Sequence, residues 1–530
     1  MNANTRRLIL LAQRTYRFWA KGIALIALLG FLYLFLWSIS SSSLASVDQK
    51  SKSRDGQESK TLKIEDSGSG SVKKKKLGPM FDPNVEYNWG TCSVSAKHNY
   101  IPCLDVVNTT TELGMVRRHR ERKCPDSATM CLVELPAMGY GSLVQWPESK
   151  WKVLYSNVEH QELDSFIKNV TWVEKSGEYL TFPRNQSQFK GGIFHYVDSI
   201  DQMVLDFEWG EKIRVVLDIG CTDSSFGAVL LDKDVLTLSL GLNDDPVDLA
   251  QVALERGFPA IVSPLGTRRL PFPGSAFDAI HCGKCSMQRF SNRGNLLLEM
   301  NRILRPGGYF ILSLGHDFIN QVEAVSTLAA SICWDTVAHD SVGIHELDVI
   351  IFQKPRSKDK CKSRGKKNPR PPPCEEDDRP DTTWYTQMKT CLHAIPAVTG
   401  QRGTKWPKEW PMRLEIFPEW FGNKEILVTD SMHWKILVEK SYLTEMGINW
   451  LYVHNVMDLS ATYGGFAAAL VPHKAWVMNV VPVHASDTLP IIFERGLVGI
   501  YHDWCEAFGT YPRSYDLIHV DHLFSSVENR

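Results

Sequence analysis

From Gly22 to Ile39 the chain runs 18 residues without a charge, nearly all of them apolar. That is about the shortest stretch expected to cross a bilayer as a helix. Arg6, Arg7, Arg14, Arg17 and Lys21 precede it with no acidic residue. The positive-inside rule then places residues 1–21 in the cytosol and everything after the span in a lumen or outside the cell. A cleaved signal peptide is the rival reading, with Ser43-Leu44-Ala45 as a loose cleavage site, but the run is longer than a normal signal core. Residues 40–85 turn polar, rich in Ser, Lys, Asp and Gly, and include SGSGSVKKKK ending at Lys76. Such a segment buries too little surface to fold and predicts a flexible stem. The four lysines suggest a nuclear signal by themselves; behind an anchor they are a solvated linker.

Further along, short apolar runs alternate with amphipathic stretches. Val215–Ile219, Val235–Leu240, Ala260–Ser263, Phe277–His281, Tyr309–Ser313 and Leu347–Gln353 read as strands. Between them SFGAVLL, Leu249–Arg256 and Leu296–Leu304 read as helices, stopped by Gly257 and by Arg305-Pro306-Gly307-Gly308. This alternation predicts a doubly wound α/β sheet.

The pattern then repeats. RVVLDIG from Arg214 recurs as HNVMDLS from His454, with Asp218 matching Asp458 and Phe226 matching Phe466 at an offset of 240. Glu255-Arg256-Gly257 recurs as Glu494-Arg495-Gly496, and FDAIH from Phe277 as YDLIH from Tyr515, at offsets of 239 and 238. Four blocks in one order predict two copies of one fold. The expected organisation is a first domain at 86–354, a linker at 355–383 and a second domain at 384–530. The linker is basic, then proline-rich, then acidic, and carries Cys361 and Cys374 as an expected disulfide. Only 14 residues follow Asp516, so the second copy is expected to stop after its fourth strand, as in a truncated product, partial gene model or splice form with a poorly stable C-terminal half.

Composition adds mainly exclusions. With 59 basic and 60 acidic residues among 530, the net charge is −1, which argues against a nucleic-acid binder. Cys92, Cys103, Cys124 and Cys131 crowd together after the stem. They suggest two disulfides in an oxidising lumen, with a zinc site as the rival that lacks matched close pairs. Sequons at Asn108, Asn169 and Asn185 all fall on the lumenal side.

Ligands of such sheets sit beyond the strand carboxyl ends, near the first turn, here Asp218-Ile219-Gly220-Cys221. No G-x-G-x-x-G and no phosphate-cradling loop is present. With GTRRLPFPGSAFDAIHC from Gly266 and ILRPGGYFIL from Ile303, the ordered set resembles class I S-adenosylmethionine-dependent methyltransferases. The resemblance implies that Asp218, Gly220 and Cys221 face the methionine part of the cofactor, that Asp244 takes the ribose hydroxyls, and that Gly266 and Thr267 border the adenine. CLD from Cys103, ERKCP, WPESKW, SNVEH, ALERG, VMNVVP and HDWCEAFGTYPRSYDLIHV narrow it further. They are similar to the plant Golgi methyltransferases of the pectin-methyltransferase (QUASIMODO-like) family, over roughly residues 86–530. That likeness implies a type II Golgi membrane protein with its catalytic region in the lumen, an acidic cell-wall polysaccharide as substrate, no nucleic acid, and association with glycosyltransferases.

This sequence departs from the family at Thr222, at Pro246–Leu249, at Arg184–Ser187 and at Cys282-Gly283-Lys284-Cys285. A branched residue at 222 restricts backbone that glycine would leave free. A non-catalytic scaffold for wall-synthesis enzymes is therefore the competing reading. For methyl transfer to a carboxylate, His281 and Lys284, with Arg268 and Arg269 before them, are the candidate orienting groups; solvated loop charge is the rival reading for all of them. Cys282 and Cys285 form a C-x-x-C read as disulfide or packing, and no metal is expected. His502, Asp503, Trp504 and Glu506 form a cluster that reads either as a sugar-binding surface or as an interdomain seam.

Overall fold

The computed structural model describes residues 144–523 except 159–160, 185–186, 190, 206, 221–222, 243–248, 264–267, 284–293, 316–321, 342–346, 358–369, 377, 383–385, 505–507 and 511–513. The expected membrane anchor, the stem, the four clustered cysteines, Asn108 and Asn185 lie outside these residues. No described helix is long and apolar enough to cross a membrane.

The described chain opens with a small antiparallel sheet, order β1-β3-β2, made of β1 (Lys152–Leu154), β2 (Glu174–Ser176) and β3 (Tyr179–Thr181). Helices α1 (Tyr155–Val158) and α2 (Gln161–Asn169) lie between β1 and β2, and α3 (Gly192–Met203) follows β3. The main sheet then forms from β4 (Val215–Ile219), β5 (Leu236–Leu242), β6 (Ala260–Ser263), β7 (Phe277–Gly283), β8 (Leu304–Gly315), β9 (Asp335–Asp340) and β10 (Leu347–Gln353). Its order is β6-β5-β4-β7-β8-β10-β9, with β4 to β8 parallel and β10 antiparallel to both its neighbours. The connecting helices are α4 (Ser225–Leu231), α5 (Ala250–Glu255), α6 (Asn295–Ile303) and α7 (Val322–Ser331).

Both faces of this sheet are covered, as the unbroken apolar strands require. Val216, Ala279, Ile311, Val349 and Ile351 pack on one face with Ile193 and Val197 of α3 and Phe226 and Leu230 of α4. Their chain neighbours Leu217, Ile280, Leu312 and Ile350 point the other way, against Ala253 of α5, Leu297 of α6 and Val325 of α7. The doubly wound α/β expectation holds here. One boundary differs: Arg305-Pro306-Gly307-Gly308 is not a helix stop followed by a gap. Leu304 already pairs with Phe277, and the register then shifts so that Tyr309 meets Ala279.

After α8 (Lys424–Ile436), which continues as a π-helix over Leu437–Glu445, a second sheet forms. Its strands are β11 (Asn455–Asp458), β12 (Trp476–Pro482), β13 (Gly499–His502) and β14 (Leu517–His519), with α9 (Gly465–Leu470) and α10 (Leu489–Glu494) between them. They are parallel and run β13-β12-β11-β14, the same relative order as β6-β5-β4-β7.

The two sheets meet through matched contacts. Val262 N donates to Gly509 O, and Tyr501 N donates to Pro271 O, positions related by the 238–239 offset in both directions. Gly257 and Gly496 both have positive φ. A Cβ at Gly257 would meet His454 and Trp146 at 2.9 Å, and one at Gly496 would meet Arg214 at 2.9 Å and Trp410 at 3.0 Å. Trp146 stacks on His454 at 3.7 Å, and the Arg214 guanidinium lies 3.7 Å over Trp410.

The segment expected to be a free linker is tied down where it is described. Arg269 is buried rather than solvated: it pairs with Asp378 and donates to Arg379 O and Thr382 O. Cys374 is bonded to Cys391, not to Cys361. Leu392 exchanges backbone bonds with the chain at Pro372 and Cys374, which brings the two half-cystines together.

Asp278 is the polar centre of this packing. Its Oδ1 accepts from Arg305 Nε at 2.9 Å, and its Oδ2 accepts from Arg413 Nη2 at 2.9 Å and from the amides of Arg214 and Val215 at 3.0 and 3.1 Å. Arg305 also pairs with Glu494 at the end of α10. Burial alone would raise the Asp278 pKa, but Arg413, Arg305 and the two amides outweigh it and hold the carboxyl below its ordinary value. Asp278→Ala is expected to cost about 3–5 kcal/mol by leaving buried Arg413 without a charged partner and Arg305 with Glu494 alone, read as a lower denaturation midpoint. Because the folded-state pKa is depressed, this contribution is full above the ordinary carboxylate range. It is lost only as the pH falls through the depressed value, and an acid titration of stability in the parent and the variant checks this.

Candidate functional site

The chain runs from β4 outward to β5 and β6, then returns across to β7, so the crevice between β4 and β7 is where the strand order reverses. Ligands of open α/β sheets bind outside the strand carboxyl ends at such a point. Asp218 and His281 sit there as direct neighbours in the ladder. His281 Nδ1 lies 2.7 Å from Asp218 Oδ1, and its Nε2 lies 2.8 Å from the Tyr196 hydroxyl, which also bonds Ser313 Oγ. Phe226 stacks on the imidazole at 4.1 Å. All four of Asp218, His281, Tyr196 and Phe226 are 0% exposed.

Burial pushes the Asp218 pKa up, with the hydrogen bond and charge of His281 opposing it. Its second oxygen, Oδ2, is buried with no hydrogen-bond partner among the described residues. A buried polar atom of this kind calls for an unseen partner, and a carboxylate oxygen suits a cationic amino group. Gly220, two residues on, is exposed and has φ +79°, a left-handed backbone conformation that glycine adopts without strain.

The same constellation stands in the second sheet. His519 Nδ1 lies 3.0 Å from Asp458 Oδ1, its Nε2 lies 3.1 Å from the Tyr442 hydroxyl, and Phe466 stacks on it at 4.1 Å. The turn after the first strand is tethered alike in both sheets. Buried Arg256 donates to Asp223 O, and buried Arg495 donates to Tyr463 O at 2.7 Å, carbonyls 240 residues apart. Repetition of Glu-Arg-Gly in the sequence marks these arginines; their task becomes visible only in the fold. Tyr196 and Tyr442 carry no such mark, because they lie in helices outside the matched blocks.

The structure thus brings together Asp218, Gly220 and His281 from the expected site. Cys221, Asp244, Gly266, Thr267 and Lys284 lie outside the described residues. His281 is a correction: both its ring nitrogens are engaged, Nδ1 by Asp218 and Nε2 by Tyr196, so it holds Asp218 and has no nitrogen left to orient a substrate carboxylate. Arg269 is removed from the site by its pairing with Asp378, and Arg268 is half-buried, its backbone bridged to Gln387. Cys282 is disulfide-bonded, and Cys285 lies outside the described residues. In the second sheet His502 and Asp503 are buried rather than presented as a surface, and Trp504 donates to Leu459 O from a ring set edge-on to His502. Glu506 lies outside the described residues. Asn169 is exposed at the end of α2.

A family model described as "Putative S-adenosyl-L-methionine-dependent methyltransferase" matches residues 99–530. "Probable methyltransferase PMT28" of Arabidopsis thaliana is 58% identical over 460 residues, covering 87% of this chain and 63% of that protein. "Probable methyltransferase PMT26" of the same plant is 46% identical over 464 residues, covering 84% and 56%. The chain therefore spans less than two thirds of the length of these relatives. Among solved structures, a SAM dependent methyltransferase from Aquifex aeolicus is 12% identical with a TM-score of 0.28, covering 37% of this chain and 99% of that one.

Removing one partner from the buried relay exposes its worth. Tyr196→Phe leaves His281 Nε2 and Ser313 Oγ unsatisfied and is expected to cost about 1–3 kcal/mol. Tyr442→Phe, at a half-buried hydroxyl that water can replace, is expected to cost about 1 kcal/mol or less. Parallel denaturant titrations of the two variants check the order.

Proposed function

The chain belongs to the family of S-adenosyl-L-methionine-dependent methyltransferases that this model describes, and we propose from that premise that its first sheet binds this cofactor and methylates carboxylates of an acidic cell-wall polysaccharide. The observation that carries the reading is the unpartnered, buried Oδ2 of Asp218 at the point where the strand order reverses. When bound, S-adenosylmethionine supplies a methyl group made electrophilic by a sulfonium. Asp218 accepts from the cationic amino group of the methionine part, while His281 and Tyr196 fix its carboxylate. Gly220 admits the ligand close to the backbone, and Arg256 pins the turn from behind. Cys221 adjoins the methionine part, Asp244 takes the ribose hydroxyls, and Gly266 and Thr267 border the adenine, as the resemblance implies.

A galacturonate carboxylate is ionised at lumenal pH and needs no general base. The chain's contribution is then positioning and the exclusion of water. The two sheets are read as tandem copies of one fold. Matching strand orders, the shared Asp–His–Tyr relay and the equivalent arginine tethers support that reading. The apolar run at 22–39, the basic residues before it and the exposed Asn169 support a single-pass type II protein of the Golgi membrane with a lumenal catalytic region. Association with glycosyltransferases that make the acceptor fits that placement.

Calorimetry with S-adenosylmethionine on the lumenal region tests the reading. Binding is expected, weakened about tenfold or more by Asp218→Ala. No binding by the unsubstituted protein overturns the enzyme reading, and unchanged affinity in the variant overturns the assignment of Asp218. Transfer of labelled methyl to homogalacturonan in a base-labile form checks the acceptor; label confined to base-stable ethers sinks the carboxylate assignment.

A further inference from the structure

The segment between the two sheets builds a cavity of about 190 Å³ that the methyl-transfer site does not use. Trp406, Phe417 and Trp420 form its aromatic walls, and Lys405, Lys408 and Glu494 also line it. Glu494 is the carboxylate paired with Arg305, so the floor of the cavity is part of the buried network around Asp278.

Its polar inventory is one-sided. Trp406 Nε1 and Trp420 Nε1 are both buried and have no hydrogen-bond partner among the described residues. Buried indole N–H groups usually find an acceptor, and two orphans around one cavity are hard to assign to packing alone. Glu494 is already bound to Arg305, and Glu419 at the rim is bound to Lys405 at 2.6 Å. Lys408 makes no ion pair within 4.0 Å among the described residues, though Lys405 and, less strongly, the Lys408 charge help hold the Glu419 carboxyl below its ordinary value. The cavity therefore offers aromatic faces and a cation, with two unsatisfied indole N–H groups buried in its walls, while its carboxylates are already engaged.

We propose that this cavity is an accessory subsite for one carboxylated sugar ring of an acidic polysaccharide. The apolar C–H face of a pyranose stacks on an indole, ring hydroxyl oxygens accept from the two indole N–H groups, and the uronate carboxylate meets Lys408. The volume admits about one ring. The proposal rests on the acceptor class given above and adds a place where the chain grips the polymer away from the chemistry. Arg305 stands at the start of β8 and Asp278 at the start of β7, opposite the carboxyl ends where Asp218 lies. Seven residues of β7 span on the order of 20 Å, so a ring held here cannot present its own carboxylate to the methyl donor. A longer polymer can occupy both places.

The test uses the whole lumenal region and trigalacturonate, followed by tryptophan fluorescence and by protein NMR. Binding of trigalacturonate is expected, with weaker binding of its methyl ester and of maltotriose. Trp420→Ala is expected to weaken binding about tenfold and Lys408→Gln about threefold; Trp420→Phe, which keeps a stacking face, guards against a folding defect. In methyl-transfer assays Lys408→Gln is expected to raise KM for long polygalacturonate while leaving kcat unchanged. Equal binding of the neutral trisaccharide, or unchanged affinity in both Trp420→Ala and Lys408→Gln, overturns the subsite. Calorimetry separates the two ideas: cofactor binding without sugar binding removes the subsite alone, and sugar binding without cofactor binding removes the methyltransferase reading alone.

Discussion

A single buried carboxylate organises the described part of this protein. Asp278 opens β7, caps the amides that start β4, and receives guanidinium groups from β8 and from the segment between the sheets. Any one of these contacts would be an ordinary satisfied polar group. Together they make the start of the first sheet, its longest strand and the approach to the second sheet depend on one ionised side chain. Asp516 does part of the same work in the second sheet, accepting from the amides of His454 and Asn455 at 2.9 and 2.8 Å. There it has no arginine partner among the described residues, and its chain ends the sheet as an edge rather than as a hub.

The opposite ends of the same strands carry the Asp–His–Tyr relay. The relay from Tyr196 through His281 to Asp218 is fully dry in the first sheet. In the second, the tyrosine is half-buried and the distances are longer. Aromatic stacking on the histidine is the same in both. The shared arrangement is thus a way for this fold to hold an acidic side chain at the end of its first strand. What distinguishes the sheets is solvent access around it. The orphaned oxygen of Asp218 belongs to the dry version, where an unpaired carboxylate is costly and a cationic ligand is correspondingly favoured.

Much of this was legible from residue order, and the exceptions have physical causes. Runs such as Val215–Ile219 and Phe277–His281 read as buried strands because glycine and proline punctuate them, and both strands are found. β8 begins earlier than Tyr309 because Leu304 is long and apolar enough to pair before the Pro-Gly-Gly irregularity, which a local reading takes as a stop. β9 escapes notice because its burial alternates weakly along a sheet edge. Tyr196 could not be found from periodicity, since an inward tyrosine on an amphipathic helix looks like any core residue until its hydroxyl is seen to have a partner. The partner of Cys374 was also unreadable: Cys361 is closer in sequence, but pairing follows the fold, and the backbone exchange at Leu392 brings Cys391 to it instead.

The reach of Asp278 has a consequence for how the protein is made. Arg413, one of its two guanidinium partners, is synthesised 135 residues after it, a delay of roughly 7–27 s at ordinary elongation rates. His454, which covers Gly257, comes later still. For that interval the nascent first sheet emerges from the ribosome with a buried acid half-neutralised and a tryptophan face uncovered. Until then the sheet presents the kind of uncovered surface that chaperones recognise, and maturation waits on the arrival of chain that belongs to its neighbour.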